Sequence, residues 1–282
     1  MIRWILLSVA AILTAAPVTA AGVRVSMSPA SIAQGGTVEV TVPGLAAPHA
    51  RVGFAGRIWP LYETRGVWRT LLGTDPLTVA GRRAVIVEIA GPSGTLEVGR
   101  AALAVRRVAF PRRRITLVPD RRDLLDPKLA AEEGRKVAAA LRALSPARMW
   151  QGTFRIPASG TVSSPYGVVS VYQGRVRGFH RGIDLAAAAG TPVYAANDGI
   201  VRLAEYLPLS GHAVLIDHGM GIVTSYLHQS AIFVRAGQRV RRGQVIGRVG
   251  STGLSTGPHL HWGLRVNGVH VDPMPWTRRG RP

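Results

Sequence analysis

The chain contains no cysteine and only two lysines, Lys128 and Lys136, among its 282 residues. The lack of cysteine excludes disulfides, thiolate metal sites and a lipid anchor on cysteine, so any exported domain must be held by packing or by a metal. The lack of lysine after Lys136 excludes a biotinyl or lipoyl carrier site in the Gly-rich hairpin pattern at 234–247, because such carriers modify a lysine at a turn. That hairpin is interpreted as scaffold.

Acidic residues are also scarce, with 15 Asp and Glu against 35 Lys and Arg and a formal net charge of +20. Subtracting the two lysines from 35 leaves 33 arginines, which are scattered and not interleaved with aromatic residues. Such a pattern does not favour nucleic-acid binding. It favours a solvated basic surface over a specific anion site. The polyanions that such a surface would meet outside the inner membrane are cell-wall polymers or lipid phosphates.

The first twenty residues have the pattern of a secretory signal peptide. Arg3 gives a positive start, residues 4–16 are apolar, and Val18-Thr19-Ala20 fits the small-residue cleavage rule. The alternative is an uncleaved membrane anchor, but Pro17 interrupts the run before the roughly 20 residues that a span needs. We therefore predict cleavage after Ala20, no integral membrane segment in the mature protein, and export to the periplasm or cell wall.

The remaining length and a hydrophobic content of 47% suffice for two cores. Short alternating stretches at 37–42, 84–90 and 101–108 predict an immunoglobulin-like β-sandwich over 21–108. Four aromatic residues within it, Phe54, Trp59, Tyr62 and Trp68, are interpreted as core rather than as a sugar-stacking face. His49, alone beside a proline, is expected on the surface.

Residues 109–150 are predicted to form a basic linker and a connector helix. Asp126 suits the N-cap and Pro127 the first helical position, and Ser145-Pro146 is expected to end the helix. Val137, Leu141 and Leu144 form a narrow apolar stripe, which indicates a helix packed on one domain.

From residue 151 to 282 no long helical period occurs. Strands are predicted at 192–196, 199–203, 213–217, 222–227, 245–249 and 259–266, which gives a mainly β chain whose last domain is an antiparallel sheet with a groove over one face. Loops at 168–178 and 206–211 are expected to form the walls of this groove.

Four histidines and an aspartate concentrate in three short runs of this domain. They are Phe179-His180-Arg181-Gly182-Ile183-Asp184-Leu185, Ser225-Tyr226-Leu227-His228 and a run at 252–263 that contains Pro258-His259-Leu260-His261-Trp262. On a strand, residues i and i+2 share a face, so His259 and His261 both enter the groove. A catalytic zinc takes three His or carboxylate ligands, which His180, Asp184 and one of the two closing histidines supply. The only glutamate after residue 150 is Glu205, so acid–base work falls to histidine.

The runs HxGxD, YLH and TGPHLHW, in this order, resemble the signature of the M23 metallopeptidases, the lysostaphin- and LytM-like peptidoglycan endopeptidases. The resemblance covers about residues 151–275 and implies that His180, Asp184 and His261 bind one zinc ion. It also implies that His228 and His259 orient water and stabilise the developing oxyanion. Tyr166 stands where relatives usually have Phe, and it is expected to alter the lining of the groove.

The resemblance implies an exported zinc endopeptidase that acts on peptidoglycan stems or cross-links. The alternative is a non-catalytic LytM-type module that binds the wall or activates an amidase. A further expectation is that the N-terminal domain or the connector covers the groove and restrains activity. His218 and Asp217 are left outside the site as structural residues. His212, which could face the groove or solvent, is left outside as well, and His270 is expected to be exposed.

Overall fold

The computed structural model describes residues 24–43, 50–90, 96–114, 126–172 and 175–278. The predicted signal peptide and His49 lie outside these residues. Among the described residues there is one α-helix, and no helix is long and apolar enough to cross a membrane.

The N-terminal part is a sandwich of two sheets, as the short alternating strands predicted. Its strands are β1 (Ser26–Ser28), β2 (Ser31–Ala33), β3 (Thr37–Pro43), β4 (Ala50–Phe54), β5 (Arg57–Pro60), β6 (Tyr62–Thr64), β7 (Val67–Gly73), β8 (Gly81–Ala90) and β9 (Leu96–Arg106). One sheet has the order β1-β3-β7-β6 and the other β2-β9-β8-β4-β5. All pairs are antiparallel except β2 with β9.

The core of the sandwich follows the period-two pattern of its strands. Val38, Val40 and Val42 of β3 are fully buried and face the second sheet. Phe54 and Trp59 are buried as well, and the Trp59 indole N–H donates to the Phe54 carbonyl over 3.2 Å. Tyr62 and Trp68 are partly buried against the same core. The interpretation of these aromatic residues as core is therefore confirmed for Phe54 and Trp59.

The stretch expected as a basic linker contributes a strand to the C-terminal part. Strand β10 (Arg112–Arg114) pairs in parallel with β12 (Val169–Tyr172), which in turn pairs with β13 (Arg175–Phe179). Strands β12 and β13 occupy the segment that was expected to be a loop, so that prediction is wrong. Pairing on both sides of β12 satisfies its backbone groups and makes an extended conformation stable.

Helix α1 (Pro127–Ala140) begins as predicted, with the Asp126 side chain accepting from the Lys128 N–H over 2.8 Å. It ends at Ala140 rather than at Ser145. The backbone of Ser145 bonds to the C-terminal sheet instead: its N–H donates to Asp217 Oδ2 over 2.8 Å and its carbonyl accepts from the Met220 N–H over 2.9 Å.

The apolar stripe of α1 packs on one domain, as predicted. Together with the turn that follows the helix it contacts an apolar cluster on the C-terminal sheet; the contacting residues are Val137, Ala140, Leu141 and Leu144 on one side and Leu203, Leu207, Ala213, Leu215 and Val223 on the other. The helix is thus part of the C-terminal core.

The C-terminal part is the predicted antiparallel sheet. Its strands are β11 (Thr161–Ser164), β14 (Gly182–Ala186), β15 (Pro192–Tyr194), β16 (Gly199–Leu207), β17 (Gly211–Gly219), β18 (Ile222–Ile232), β19 (Arg239–Val240), β20 (Val245–Val249), β21 (His259–Val266) and β22 (Val269–Val271). The main order is β11-β14-β21-β18-β17-β16-β19, and a 3-10 helix (Met274–Thr277) follows β22.

The sandwich contacts the C-terminal part at the hairpin of β21 and β22. Asn267, with φ of 46°, and Gly268, with φ of 83°, form the tight turn that this dipeptide favours. Asn267 Nδ2 donates to the Leu71 carbonyl over 3.0 Å, and the Tyr62 hydroxyl donates to Asn267 Oδ1 over 3.2 Å. This contact lies at the far end of β21 from His259, about 23 Å along the strand at about 3.3 Å per residue.

A buried histidine joins the end of β17 to the neighbouring strands. His218 is fully buried, its Nδ1–H donates to the Asp198 carbonyl over 2.7 Å, and its Nε2 lies 2.7 Å from Thr224 Oγ1. Burial lowers the pKa of His218 from 6.5 to about 4. The structural role predicted for His218 agrees with these bonds.

We predict that His218 makes folding sensitive to mild acid. Its pKa is lower in the folded than in the unfolded chain, so the stabilisation is complete above pH 6.5 and is lost as the pH falls toward 4. The difference corresponds to about 3 kcal/mol in the free energy of unfolding. Urea unfolding at pH 7.5 and 4.5 measures it, and His218→Gln should lose less stability between these two pH values than the wild type. An equal loss in both proteins would contradict the prediction.

Candidate metal and catalytic centre

Three neighbouring strands bring the predicted site residues together. Strand β21 lies between β14 and β18, and in this register His261 is opposite both Asp184 and Leu227. Directly paired residues share a face of the sheet, so His259, His261 and Asp184 project from one face. His180 lies two residues before β14, and His228 follows Leu227 on β18. All five predicted residues are therefore gathered at one place.

A backbone carbonyl sets the tautomer of His180. Its Nδ1 lies 2.8 Å from the Pro165 carbonyl, which can only accept, so Nδ1 carries the proton. The other ring nitrogen, Nε2, then presents a lone pair to Asp184 Oδ1 at 2.9 Å and to His261 Nδ1 at 3.0 Å. This is the arrangement in which metal-binding histidines are held by their second nitrogen.

The three groups form a compact set of donor atoms. His261 Nδ1 lies 2.9 Å from Asp184 Oδ1, which closes a triangle whose sides are 2.9–3.0 Å. Burial raises the pKa of Asp184, but when the His180 and His261 rings are protonated their hydrogen bonds outweigh it and hold that pKa well below its usual range. Burial lowers the pKa of His261, which favours its neutral form.

This donor set fits a zinc ion. Two imidazole nitrogens and a carboxylate oxygen are preferred zinc ligands, and ligands 2.0–2.1 Å from a tetrahedral ion lie about 3.3 Å apart. The observed separations are close to that value. Lone pairs that face one another at this distance repel unless a proton or a cation lies between them, so a cation stabilises the arrangement.

His259 presents its Nε2 on the same face of the sheet as the donor triangle. Its Nδ1 lies 2.8 Å from the Gly257 carbonyl and therefore carries the proton, and Ser255 Oγ lies 3.3 Å from the same nitrogen. Nε2 is 3.9 Å from Asp184 Oδ1, beyond the donor triangle. His259 is thus placed beside the candidate metal ligands and is free to exchange a proton at Nε2.

His228 is held in an unusual backbone conformation, with φ of 63°. Its N–H donates to the Ser210 carbonyl over 2.9 Å, and its Nδ1–H donates to the Thr252 carbonyl over 2.9 Å. The two bonds retain a conformation that costs a non-glycine residue about 1 kcal/mol or more. The ring centroid of His228 lies 4.8 Å from that of His259, and burial lowers the pKa of His228 to about 4.

The carbonyls of Pro165, Gly257 and Thr252 are the functional groups that the sequence did not reveal. Each fixes a histidine through Nδ1. Every residue has a carbonyl, so no residue type marks these positions. The available signals were the short Ser-Pro and Gly-Pro dipeptides beside the histidine runs, which indicate turns close to the site.

Of the residues outside the site, Asp217 is structural as predicted, and two expectations need correction. Asp217 is fully buried and accepts from Arg202 Nη2 over 2.7 Å. The expectation that His270 is exposed is wrong: its Nε2 accepts from Arg265 Nε over 3.1 Å, and burial lowers its pKa well below 6.5. Tyr166 is buried beside Phe179, and its hydroxyl donates to the His270 carbonyl, so the expectation that it lines the groove is also wrong.

The chain is similar to several known proteins in this region. The model of peptidase family M23 matches residues 178–273. Peptidoglycan DD-endopeptidase ShyC of Vibrio cholerae is 47% identical over 94 residues, which are 33% of this chain and 22% of that protein. DD-carboxypeptidase/endopeptidase Mpg of Neisseria meningitidis is 47% identical over 113 residues, which are 40% of this chain and 26% of that protein. The chain thus spans about a quarter of the length of these relatives.

A solved structure extends the likeness beyond that region. A putative peptidase M23 from Pseudomonas aeruginosa superposes with a TM-score of 0.61 at 28% sequence identity, over 87% of this chain and 94% of that one. Such coverage exceeds the family-matched residues and includes strands of the N-terminal sandwich. The chain contains a peptidase family M23 domain, whose matched residues 178–273 hold all five residues of the candidate site.

Proposed function

We propose that this chain is an exported zinc metallopeptidase that hydrolyses peptide bonds in peptidoglycan cross-links. The observation that carries the proposal is the donor triangle of His180, Asp184 and His261, with two further histidines beside it whose Nε2 atoms are free. A metal-binding triad alone suits a structural site, but two extra proton-exchanging groups suit hydrolysis.

Zinc bound by the triad would polarise a carbonyl and make water acidic enough to attack near neutral pH. The chain's own residues perform the proton transfers. His228 and His259 each keep Nδ1 bonded to a backbone carbonyl, so each accepts or donates a proton only at Nε2. One Nε2 takes the proton of the attacking water, and the imidazolium that results delivers this proton to the departing amine as the C–N bond breaks. The other histidine donates from Nε2 to the developing oxyanion in its protonated form, with a proton on each ring nitrogen.

The substrate class is supported by the relatives and by charge. ShyC and Mpg are named for DD-endopeptidase activity, which favours D,D bonds of cross-links in this chain's substrate. A net charge of +20 attracts a polymer that carries carboxylates. The proposed location is the periplasm or cell wall, in agreement with the signal peptide predicted at residues 1–20, and nucleic acid is not a proposed partner.

Cover of the groove by the N-terminal part stays a prediction. The hydrogen bonds of the sandwich to the C-terminal part include those of Asn267 in the β21–β22 hairpin and one from the Asp272 N–H to the Gly35 carbonyl over 2.9 Å, and β10 pairs with β12. Candidate metal ligands His180, Asp184 and His261 keep side-chain exposures of 13%, 18% and 13%, which leaves a route for substrate.

The first prediction of this proposal concerns the metal. The purified mature chain should hold about one zinc ion and release muropeptide fragments from isolated sacculi, and a chelator should abolish the release. His261→Ala should lower both zinc content and cleavage by at least about 100-fold, because one of three ligands is lost. His212→Ala, a histidine outside the site, serves as control.

Fragment masses identify the bond that is cleaved. Full cleavage by a folded His261→Ala protein would overturn the proposal. Stoichiometric zinc without cleavage by the wild type would favour the non-catalytic wall-binding or amidase-activating alternative.

A second prediction separates metal binding from acid–base catalysis. His259→Ala and His228→Ala should each keep about one zinc per chain, because neither side chain belongs to the donor triangle. Both should lower kcat by about 100- to 10,000-fold, the usual contribution of general acid–base catalysis. Zinc content by mass spectrometry and cleavage rates on the same preparations check this; loss of zinc in either variant would move that histidine into the ligand set.

A further inference from the structure

Helix α1 contacts the vicinity of the site through one side chain that precedes the family-matched residues. Glu133 Oε2 accepts from the Leu209 N–H over 2.9 Å and from the Ser210 N–H over 3.3 Å. Its Oε1 accepts from the Ser210 hydroxyl. One carboxylate therefore bonds to three donors of the turn at residues 208–210, which joins β16 to β17.

This turn is bonded to two segments that carry the candidate catalytic histidines. The Ser210 carbonyl accepts from the His228 N–H over 2.9 Å, and the Leu209 carbonyl accepts from the Leu254 N–H over 2.8 Å. Leu254 belongs to the loop between β20 and β21, which leads into His259. Leu209 and Ser210, whose N–H groups donate to Glu133, thus also accept hydrogen bonds through their carbonyls from the segments that contain Leu254 and His228.

Close packing leaves the turn little freedom to move independently. A Cβ placed on Gly211 would lie 2.2 Å from Thr252 Oγ1, and one placed on Gly253 would lie 2.3 Å from the Gly211 nitrogen. Thr252 in turn holds the His228 ring through its carbonyl. A displacement of the turn would therefore move both groups that hold His228. These are the Ser210 carbonyl, which accepts from its backbone N–H, and the Thr252 carbonyl, which accepts from its Nδ1–H.

We propose that Glu133 is a positioning residue for His228, acting through the turn at 208–210. The inference rests on the proposed function and extends it to a residue of the connector helix. His228 has a backbone conformation that persists only while its surroundings enforce it, and Ser210 supplies one of the two bonds that do so. Removing the carboxylate leaves the Leu209 and Ser210 N–H groups without their acceptor, so the turn shifts to find another.

This role differs from docking of the helix. Docking depends on the apolar contacts of Val137, Ala140 and Leu141, which lie one to two turns further along α1. The neighbouring Glu132 is exposed, whereas Glu133 is half-buried against the turn. The two glutamates therefore provide a matched pair in the same helix.

The test compares Glu133→Ala, Glu133→Gln and the control Glu132→Ala in the full mature protein. A displacement of about 1 Å in a catalytic group lowers rates by about 100-fold, so Glu133→Ala should lower kcat about 10- to 100-fold on a soluble cross-linked muropeptide. KM should stay within about twofold, because the positioned group acts in the chemical step. Glu133→Gln keeps an acceptor oxygen for the two N–H groups and should restore most of kcat, and Glu132→Ala should match the wild type.

Amide hydrogen exchange gives a readout that does not depend on activity. In Glu133→Ala, exchange at Leu209, Ser210 and His228 should rise at least about tenfold, while amides in the centre of β17 and within α1 keep their protection. Unchanged kcat in Glu133→Ala, or unchanged exchange at His228, would overturn the proposal. Loss of protection throughout α1 would also overturn it, in favour of helix docking. A wild type that cleaves nothing would refute the proposed function, and exchange at His228 would still decide the positioning role.

Discussion

The site depends on the close approach of three groups whose lone pairs repel one another unless a cation lies between them. His180 Nε2, Asp184 Oδ1 and His261 Nδ1 lie within 3.0 Å of each other. Strand pairing of β14 with β21 holds two of them in direct register, and the Pro165 carbonyl orients the third. The sheet thus supplies the energy that keeps three acceptor atoms together, and the chemistry of the centre follows from that enforced proximity.

Around this triangle, side chains carry the chemistry and backbone groups orient them. The candidate catalytic rings of His228 and His259 are both fixed by carbonyls of short turns. Turns of this kind keep their shape only when neighbouring segments hold them. In this proposal, residues outside the family-matched region, such as Glu133, help to hold the histidines in place without contacting the metal ligands or the substrate.

The sequence was most informative where one physical rule decides the outcome. Alternation at 37–42 predicted strand β3, a strand was predicted at 259–266, and the HxH pair predicted a shared face. The sequence was less informative where the outcome depends on a distant partner. Residues 112–114 pair with the edge of β12, the Ser145 N–H beyond α1 bonds to Asp217, and His270 is half-buried and bonded to Arg265. The carbonyls that set histidine tautomers had no residue-type signal at all.

Strand β10 is an exposed edge of a sheet, and its positive charge disfavours pairing with a strand of another chain. It lies at the margin of a three-stranded sheet, and all three of its residues, Arg112 to Arg114, are exposed. An open edge is a template on which another chain can add a strand, and a row of cations discourages that addition by repulsion between identical copies. In the proposed setting, bound to a wall polymer, the protein would meet many copies of itself. Three of the chain's 33 arginines thus lie where their charge discourages strand addition by another copy.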